Sequence, residues 1–477
     1  MASVVPDGVG LPAARLEPDA IGVAQDTVIG MGNAAPGAVM GLTLATLAAT
    51  SAYGGGPVIL LTAIPMLIIA NAYRRLNLWN ANCGASFEWV GRAINPYLGF
   101  ITGWLMVTGT LVGTISGVIV LAPSILAIFG ASAADTLSNV VISLLVIFVM
   151  LMISIAGIRL TARTQVGIAA VEYVLLIGFA IVGLIFVVGH RAGTFPITKG
   201  WFSPYGIGGH GSLAAGFLIA VFMYTGWDGT VYLNEETKHR RVNPGRAAMI
   251  AVAGLAILYT LLQVGLQGVI SPAKLNKEGP VALVGVADAM GGSGWEKAMA
   301  LALALSVVAS TGTGIVCVAR LLYGMASHRT LPGVLSIVSQ RFSTPIVASL
   351  VTGIGLTAVT IVYLATSSVQ NAFYDVINET GLLYAGFYVL TALATIVYFR
   401  RRVISSAWNF IVLGMLPFAA AAFLVWLVVK SVQVTSNAEN IALELVFGVG
   451  ILLMLIARFV LRSPFFRIAL ESDGEAR

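Results

Sequence analysis

Two acidic residues, Asp228 and Glu172, stand inside long apolar stretches of this sequence. A carboxylate in such a stretch is costly unless it faces a polar cavity, a cation or a proton that neutralises it. These residues therefore suggest amine recognition, cation binding or proton transfer, with a buried ion pair or a helix cap as the structural alternative. Asp228 lies in the segment YTGWDG at 224–229, whose two glycines weaken a regular helix.

The composition identifies the surroundings of these carboxylates as lipid. Of the 477 residues, 58% are hydrophobic and only 10% are charged, and the mean hydropathy is +0.94. Globular chains usually contain about 25% charged and 45–50% apolar residues, so the composition excludes a soluble globular protein. A membrane-spanning helix needs roughly 20 residues, which leaves room for about a dozen spans and little else.

Twelve apolar segments are long enough to cross a membrane, and they predict an all-α integral membrane protein with twelve transmembrane helices. The predicted spans are 21–48, 56–73, 88–122, 137–157, 164–189, 211–234, 246–270, 297–326, 345–366, 371–399, 406–430 and 440–461. Residues 1–20 lack the pattern of a signal peptide and are predicted to form a cytoplasmic tail. Residues 463–477 are predicted to form a cytoplasmic tail at the C-terminus.

The distribution of basic residues predicts the orientation. If the N-terminus is cytoplasmic, 20 of the 26 lysines and arginines fall on the cytoplasmic side. Cytoplasmic loops carry an excess of these residues, so both termini are predicted to be cytoplasmic, in a multi-pass protein of the cytoplasmic (inner) membrane. The six basic residues on the other side are Arg191, Lys199, Lys274, Lys277, Lys297 and Lys430.

Several other functions are disfavoured by the residues present. The two cysteines are too few for a disulfide framework, and the four histidines stand singly, without the spacing of a metal site. The net charge of +6 comes from cations dispersed between apolar segments, which does not resemble the basic face of a nucleic-acid-binding domain. We expect no metal, no cofactor, no nucleic-acid partner and no enzymatic activity.

Two of the predicted spans should be broken helices. The first contains GMGNAAPG at 30–37 and the sixth contains the segment 224–229, and glycine and proline both interrupt a helix. Backbone freed at membrane depth is tolerated where it is buried in protein or lines a cavity. Breaks at equivalent places in two successive five-span halves are typical of inverted-repeat secondary transporters, whereas a simple packing kink is the alternative for each break alone.

Three groups of motifs resemble the amino acid, polyamine and organocation (APC) superfamily. They are GASFEWVGRA at 84–93 with NPYLGF at 95–100 and GW at 103–104, GWD at 226–228 with NEETK at 234–238 and NPGRA at 243–247, and RLLYGM at 320–325 with LP at 331–332 and TP at 344–345. The resemblance implies a five-plus-five inverted repeat, with spans 1–5 at 21–189 and spans 6–10 at 206–402, plus two C-terminal helices at 403–462.

The same resemblance implies secondary active transport of amino acids or of small amines such as polyamines. This transport would be coupled to protons or would occur by exchange of substrates. Sodium-coupled or exchange transport of a neutral amino acid, with a structural Asp228, is the alternative. Of these functions, that of an integral-membrane enzyme is the least favoured. The expected partners are the small-molecule substrate, a proton or a sodium ion, and membrane lipids. The oligomeric state is left open.

The substrate site implied by the resemblance lies at the two breaks. In the family, the amides of a first-span Gly-x-Gly receive a substrate carboxylate, and helix N-termini favour such anions. Relatives place an occluding aromatic four residues before the sixth-span glycine and an acidic residue after it. The corresponding residues here are Gly30, Met31, Gly32, Asn33, Phe222, Thr225, Gly226 and Asp228.

The coupling site is expected near Glu172, where some relatives have a lysine between the first, fifth and eighth helices. A buried carboxylate there could carry a proton or bind a cation, and the alternative is a glutamate at the inner interface that reaches water or pairs with Arg163. Asp26 is either its counterpart or a solvated residue. Thr311 and Thr313 would help to build a sodium site or would only pack. In the tenth span, Asp375 and Glu379 with Tyr384 and Tyr388 are predicted to form an acidic entrance for amines, or an outer-interface face with an aromatic belt.

Overall fold

The computed structural model describes residues 15–131, 136–278, 282–366, 369–433 and 437–473, and the side chains at 119, 278, 365–379 and 434–442 lie outside the description. Within these ranges the chain is helical. The principal α-helices are α1 Val23–Asn33, α2 Pro36–Thr50, α3 Gly55–Trp79, α4 Ser86–Ala93, α5 Pro96–Ile128, α6 Thr136–Ile155, α7 Ile158–Val188, α8 Leu213–Met223, α9 Gly229–Tyr232, α10 Asn243–Leu266, α11 Pro272–Glu278, α12 Ala282–Gly291, α13 Ser293–Ser327, α14 Ile346–Thr366, α15 Val369–Tyr398, α16 Arg400–Val403, α17 Ala407–Asn409, α18 Leu416–Val432 and α19 Asn437–Leu455.

In the described part of the chain, eleven helices are long and apolar enough to cross a membrane. Eleven of the twelve predicted spans correspond to these helices, and α1 and α2 together form the first. The predicted sixth span is divided into α8, a turn and the short α9, so it does not form one long helix. The all-α membrane fold predicted from composition is therefore confirmed.

The predicted start of the third span is wrong. Residues 86–93 form the separate helix α4, and the long helix α5 begins only at Pro96. The side chain of Asn95 accepts a hydrogen bond from the amide of Tyr97, and Pro96 occupies the first turn. A side-chain cap followed by proline is a strong helix start, which explains why the preceding residues do not continue the same helix.

The first span breaks at Ala34 and Ala35. Helix α1 ends at Asn33, Ala35 adopts left-handed backbone angles with φ of 47°, and α2 begins at Pro36. Proline disfavours the helical conformation in the residue before it and has no amide hydrogen to continue the helix. The break therefore lies inside the predicted stretch, but Gly30 and Gly32 are helical residues of α1.

The sixth span breaks around Gly226. Helix α8 ends at Met223, and Gly226 has φ of 98°, which side chains rarely allow. A Cβ atom added to Gly226 would lie 2.8 Å from the backbone oxygen of Asn33. Glycine is required here both for the backbone conformation and for the close approach of the first span.

The helices around the breaks fix their position. Helix α1 packs against α10, α7 and α13, and α9 packs against α10, α1 and α13. A fully buried ion pair connects α13 to the loop after α9, because Arg320 Nε lies 2.9 Å from Glu236 Oε2 and Nη2 lies 3.0 Å from Oε1. The backbone of Glu236 also accepts hydrogen bonds from the amides of Ala20 and Ile21. The residues before α1 are thus held beside the sixth span.

Candidate functional site

The two helix breaks meet in the interior of the protein. The side-chain amide of Asn33, the last residue of α1, donates a hydrogen bond of 2.9 Å to the backbone oxygen of Gly226. Nearby, a Cβ atom added to Gly30 would lie 3.0 Å from the backbone oxygen of Trp227. The structure therefore brings Gly30 and Asn33 of the first span next to Gly226, which lies almost 200 positions further along the sequence.

Met31 and Gly32 face other helices. The sulfur of Met31 lies close to Gly254 of α10, whose added Cβ would approach it to 3.1 Å. Gly32 lies against α7 and α13, where an added Cβ would meet Gln165 at 3.5 Å and Thr313 at 3.7 Å. Because Gly30 and Gly32 are inside α1, the amides freed by the break are those at the start of α2. This differs from the arrangement expected from the sequence.

Asp228 is fully buried and is held by two tyrosines. Its Oδ1 accepts a 2.8 Å hydrogen bond from the hydroxyl of Tyr388, and its Oδ2 accepts a short one from Tyr232. It forms no side-chain hydrogen bond with the start of α9, so it does not cap that helix. Both partners are neutral hydroxyl donors, which stabilise the ionised form of a carboxyl group without supplying an opposite charge.

An aromatic cluster surrounds this carboxylate. Trp227 stacks on Tyr388 with ring centroids 5.2 Å apart, and Tyr73 meets both rings edge-on. Tyr384 lies 5.7 Å from Tyr388 and is itself buried, with its hydroxyl 3.4 Å from Thr110 Oγ1. Tyr384 is therefore part of the cluster and not of an aromatic belt at the membrane surface. The side chains of Asp375 and Glu379, its predicted acidic partners, lie outside the described residues.

Phe222, in the last turn of α8, and Thr225, next to Gly226, precede the sixth-span break, and both side chains are buried. The hydroxyl of Thr225 donates to the backbone oxygen of Phe222 over 2.8 Å, which satisfies a carbonyl at the end of α8. Tyr224 donates to the backbone oxygen of Ile59 in α3. These contacts fix the end of α8 and the start of the turn beside the break.

Glu172 connects three elements. It is fully buried in α7, and its Oε1 accepts a 3.1 Å hydrogen bond from the amide of Gly37 in the first turn of α2. The same amide lies 3.0 Å from Ser306 Oγ of α13, and the Ser306 hydroxyl also contacts the glutamate. Glu172 Oε2 has no hydrogen-bond partner. The alternative of a glutamate that reaches water or pairs with Arg163 is therefore wrong.

The other predicted coupling residues lie on α1 and α13. Thr311 and Thr313 donate hydrogen bonds to backbone oxygens of their own helix, as packing threonines do. Gln165 of α7, which the sequence did not single out, donates to the backbone oxygen of Ala309. Asp26 is fully buried, and both of its carboxylate oxygens lack a hydrogen-bond partner, so the reading of a solvated residue is wrong.

Two kinds of site residue escaped the sequence reasoning. Tyr232 stands four positions after Asp228, a spacing that places two side chains on the same helical face, so it was recoverable. Tyr73 and Ser306 reach the site from α3 and α13 and carry no local signal. Within the described ranges, no group of three or more His, Cys, Asp or Glu residues could hold a metal ion.

Comparison with known proteins identifies related sequences over most of the chain. The family model described as amino acid permease matches residues 25–460. An arginine/agmatine antiporter of Chlamydia felis is 23% identical over 355 residues, which cover 71% of this chain and 70% of that protein.

Two human proteins match shorter regions of the chain. The large neutral amino acids transporter small subunit 2 is 29% identical over 187 residues, covering 39% of this chain and 33% of the human protein. The Asc-type amino acid transporter 1 is 29% identical over 192 residues, covering 40% and 35%. The match therefore spans only about a third of each human relative's length.

Proposed function

The chain belongs to the amino acid permease family of the APC superfamily, and we propose that it is a secondary active transporter that moves amino acids or small amines by alternating access. The observation that carries this proposal is the meeting of the two helix breaks, with Asn33 of the first span bonded to the backbone of Gly226. Broken helices that face each other at membrane depth are where secondary transporters bind their substrates. The buried side chains around them describe a closed site.

We place the protein in the cytoplasmic membrane with both termini inside, on the basis of its many apolar helices and the distribution of its basic residues. The family consists of transporters, and an enzymatic role is not part of the proposal. Counterflow in proteoliposomes tests the function directly, because a carrier exchanges labelled for unlabelled substrate with saturation. A channel or an enzyme would give no saturable counterflow of amino acids or amines.

The substrate site is proposed to include Gly30, Asn33, Phe222, Gly226 and Asp228. The carboxyl group of Asp228 lies at the edge of the break and is held by two tyrosine hydroxyls. When it is ionised, such a group favours a substrate with a positive amine. The related proteins are named for arginine and agmatine in one case and for large neutral amino acids in another, so both a cationic and a zwitterionic substrate agree with the family.

One observation supports the alternative of a neutral substrate with a structural Asp228. Both oxygens of Asp228 already accept hydrogen bonds, and Tyr388 connects the residue to the aromatic cluster. In that case the carboxylate would order the tyrosines and would not touch the substrate. Substitution of Asp228 distinguishes a carboxylate that binds the substrate from one that only orders the tyrosines.

We expect Asp228→Asn to weaken the exchange of arginine or agmatine about tenfold or more, because a charge-assisted contact is replaced by a neutral one. Tyr388→Phe is the matched control, since it removes one hydrogen bond and leaves the charge. The measurement is the concentration dependence of counterflow for both variants. Equal losses in the two variants, or full activity of Asp228→Asn with neutral amino acids, would assign the carboxylate a structural role.

We further propose that transport is coupled to protons through Glu172, with Asp26 as a second acidic group on the first span. The support is geometric, because Glu172 lies between the start of α2 and α13 and its Oε2 has no partner. Sodium coupling, for which Thr311 and Thr313 would supply oxygen ligands, is the alternative. The hydroxyls of both threonines are engaged with their own helix, which favours the proton.

A further inference from the structure

A polar pocket lies between the end of α3 and the end of α15. It has a volume of about 250 Å³, and its lining includes Arg75, Trp79, Tyr398, Phe399, Arg402 and Asp473. Its position at the ends of two long apolar helices places it at the membrane surface. The charge distribution predicts that this surface is the cytoplasmic one.

The pocket contains more positive than negative charge. Arg74 and Arg402 both lie close enough to act on the charge of Arg75. Arg75 is half-buried, and its Nε is buried without a hydrogen-bond partner. Among the lining residues the one carboxylate is that of Asp473, which pairs with Arg402. A buried guanidinium nitrogen without a partner is costly, and an anion in the pocket would satisfy it.

The walls of the pocket are aromatic. Trp79 stacks on Tyr398 with ring centroids 3.8 Å apart and an angle of 21° between the planes. The guanidinium of Arg402 lies 5.8 Å from the centre of the Phe399 ring. Tryptophan and tyrosine are enriched at the level of lipid headgroups. Leu78, which also lines the pocket, is 43% exposed, so an apolar surface leads from the pocket toward the hydrocarbon.

We propose that this pocket binds the phosphate group of an anionic membrane lipid. The guanidinium groups of Arg75 and Arg402 would contact the phosphate oxygens, as arginine does bidentately, and an acyl chain would lie along Leu78. Basic pockets between transmembrane helices take anionic headgroups for this reason. A free phosphate ion shares the chemistry of the headgroup, but it would gain nothing from the apolar exit at Leu78.

The C-terminal segment supplies an internal competitor for the same arginine. Asp473 pairs with Arg402, and its amide donates to the backbone oxygen of Tyr398. The segment is anchored nearby, because Glu471 Oε1 lies 2.8 Å from Arg92 Nη1. A lipid phosphate must therefore displace the Asp473 carboxylate from Arg402. Removal of that carboxylate should strengthen lipid binding, an effect opposite to that of removing either arginine.

The test is native mass spectrometry of the purified full chain in a neutral detergent, titrated with phosphatidylglycerol, with phosphatidylcholine or with inorganic phosphate. We expect tight retention of phosphatidylglycerol alone. Arg75→Gln and Arg402→Gln should each weaken it about fivefold, whereas Asp473→Asn should strengthen it. Arg341→Gln is the matched control, since Arg341 is also exposed beside an aromatic ring, that of Phe342, but does not line the pocket.

Three results would overturn the proposal. The first is retention of phosphatidylglycerol by the double variant of Arg75 and Arg402 at the level of Arg341→Gln. The second is weaker lipid binding in Asp473→Asn. The third is displacement of the lipid by inorganic phosphate at equal concentration, which would make the pocket a site for the free ion. Because the readout is lipid retention, it does not depend on the proposed transport function.

Discussion

Replacing Gly226 with alanine should lower the rate of counterflow at least tenfold, while the protein still inserts and folds. This loss corresponds to an increase on the order of 2 kcal/mol in the free-energy barrier to transport. Gly226 has φ of 98°, and its added Cβ would lie 2.8 Å from the backbone oxygen of Asn33. The substitution therefore strains the backbone of the sixth span and pushes the first span away. It also weakens the hydrogen bond from Asn33 that joins the two breaks.

The control for Gly226→Ala is Gly355→Ala. Gly355 is a helical glycine of α14, and a Cβ there would meet nothing within 4 Å, so alanine should be harmless or slightly stabilising. Size-exclusion chromatography and circular dichroism verify that each variant is folded. Parent-level counterflow by folded Gly226→Ala would remove the substrate site from the meeting point of the two breaks.

The glycines of the first span extend this test into a graded series. At Gly30 an added Cβ would approach Thr230 Cγ2 to 2.5 Å and the backbone oxygen of Trp227 to 3.0 Å. At Gly32 the nearest atom would lie at 3.5 Å, an ordinary contact. Gly30→Ala should therefore resemble Gly226→Ala, whereas Gly32→Ala should retain most activity. Equal losses at both positions would indicate that the glycines serve general packing of α1.

The fold could be predicted from the sequence because membrane-spanning helices are specified by local composition. Each long apolar segment satisfies its own backbone hydrogen bonds, so its existence does not depend on distant residues. The exact place of the first break was less predictable. Gly30 and Gly32 are compatible with a helix that packs tightly on its neighbours, and the decisive residue is Pro36, which forces Ala35 out of the helix.

The site was only partly predictable, because its contacts join distant parts of the chain. The carboxylates Glu172 and Asp228 were recognisable, since charge in an apolar segment is rare and costly. The residues that contact these carboxylates could not be recognised from the sequence. Gly37 and Glu172 are 135 positions apart, and Tyr388 is 160 positions from Asp228. No periodicity relates such pairs, and only the packing of elements that are distant in the sequence brings them together.

Glu172 is placed where a change of its charge would act on the first span. Its Oε1 accepts the amide of Gly37, a bond that strengthens when the carboxylate is charged. Its Oε2 faces no donor, so a proton could be held there while Oε1 still accepts. Loss of that proton would tighten the contact with α2, and its return would loosen it. Movement of α2 relative to α7 and α13 would thereby follow protonation.

We expect an imposed pH gradient to drive substrate accumulation in the parent and to fail in Glu172→Gln, because glutamine cannot gain or lose a proton at this position. Exchange without a gradient should persist in the variant, since the substrate site at the breaks is unaltered. Ser306→Ala is the matched control, because it removes a hydroxyl contact of the glutamate but leaves the carboxyl group. Accumulation driven by sodium in the parent, or proton-driven accumulation that survives in Glu172→Gln, would reject this coupling mechanism. If sodium drives accumulation in the parent, Thr311 and Thr313 become the candidate ligands of the ion. Their hydroxyls would then have to break their hydrogen bonds to the backbone of their own helix.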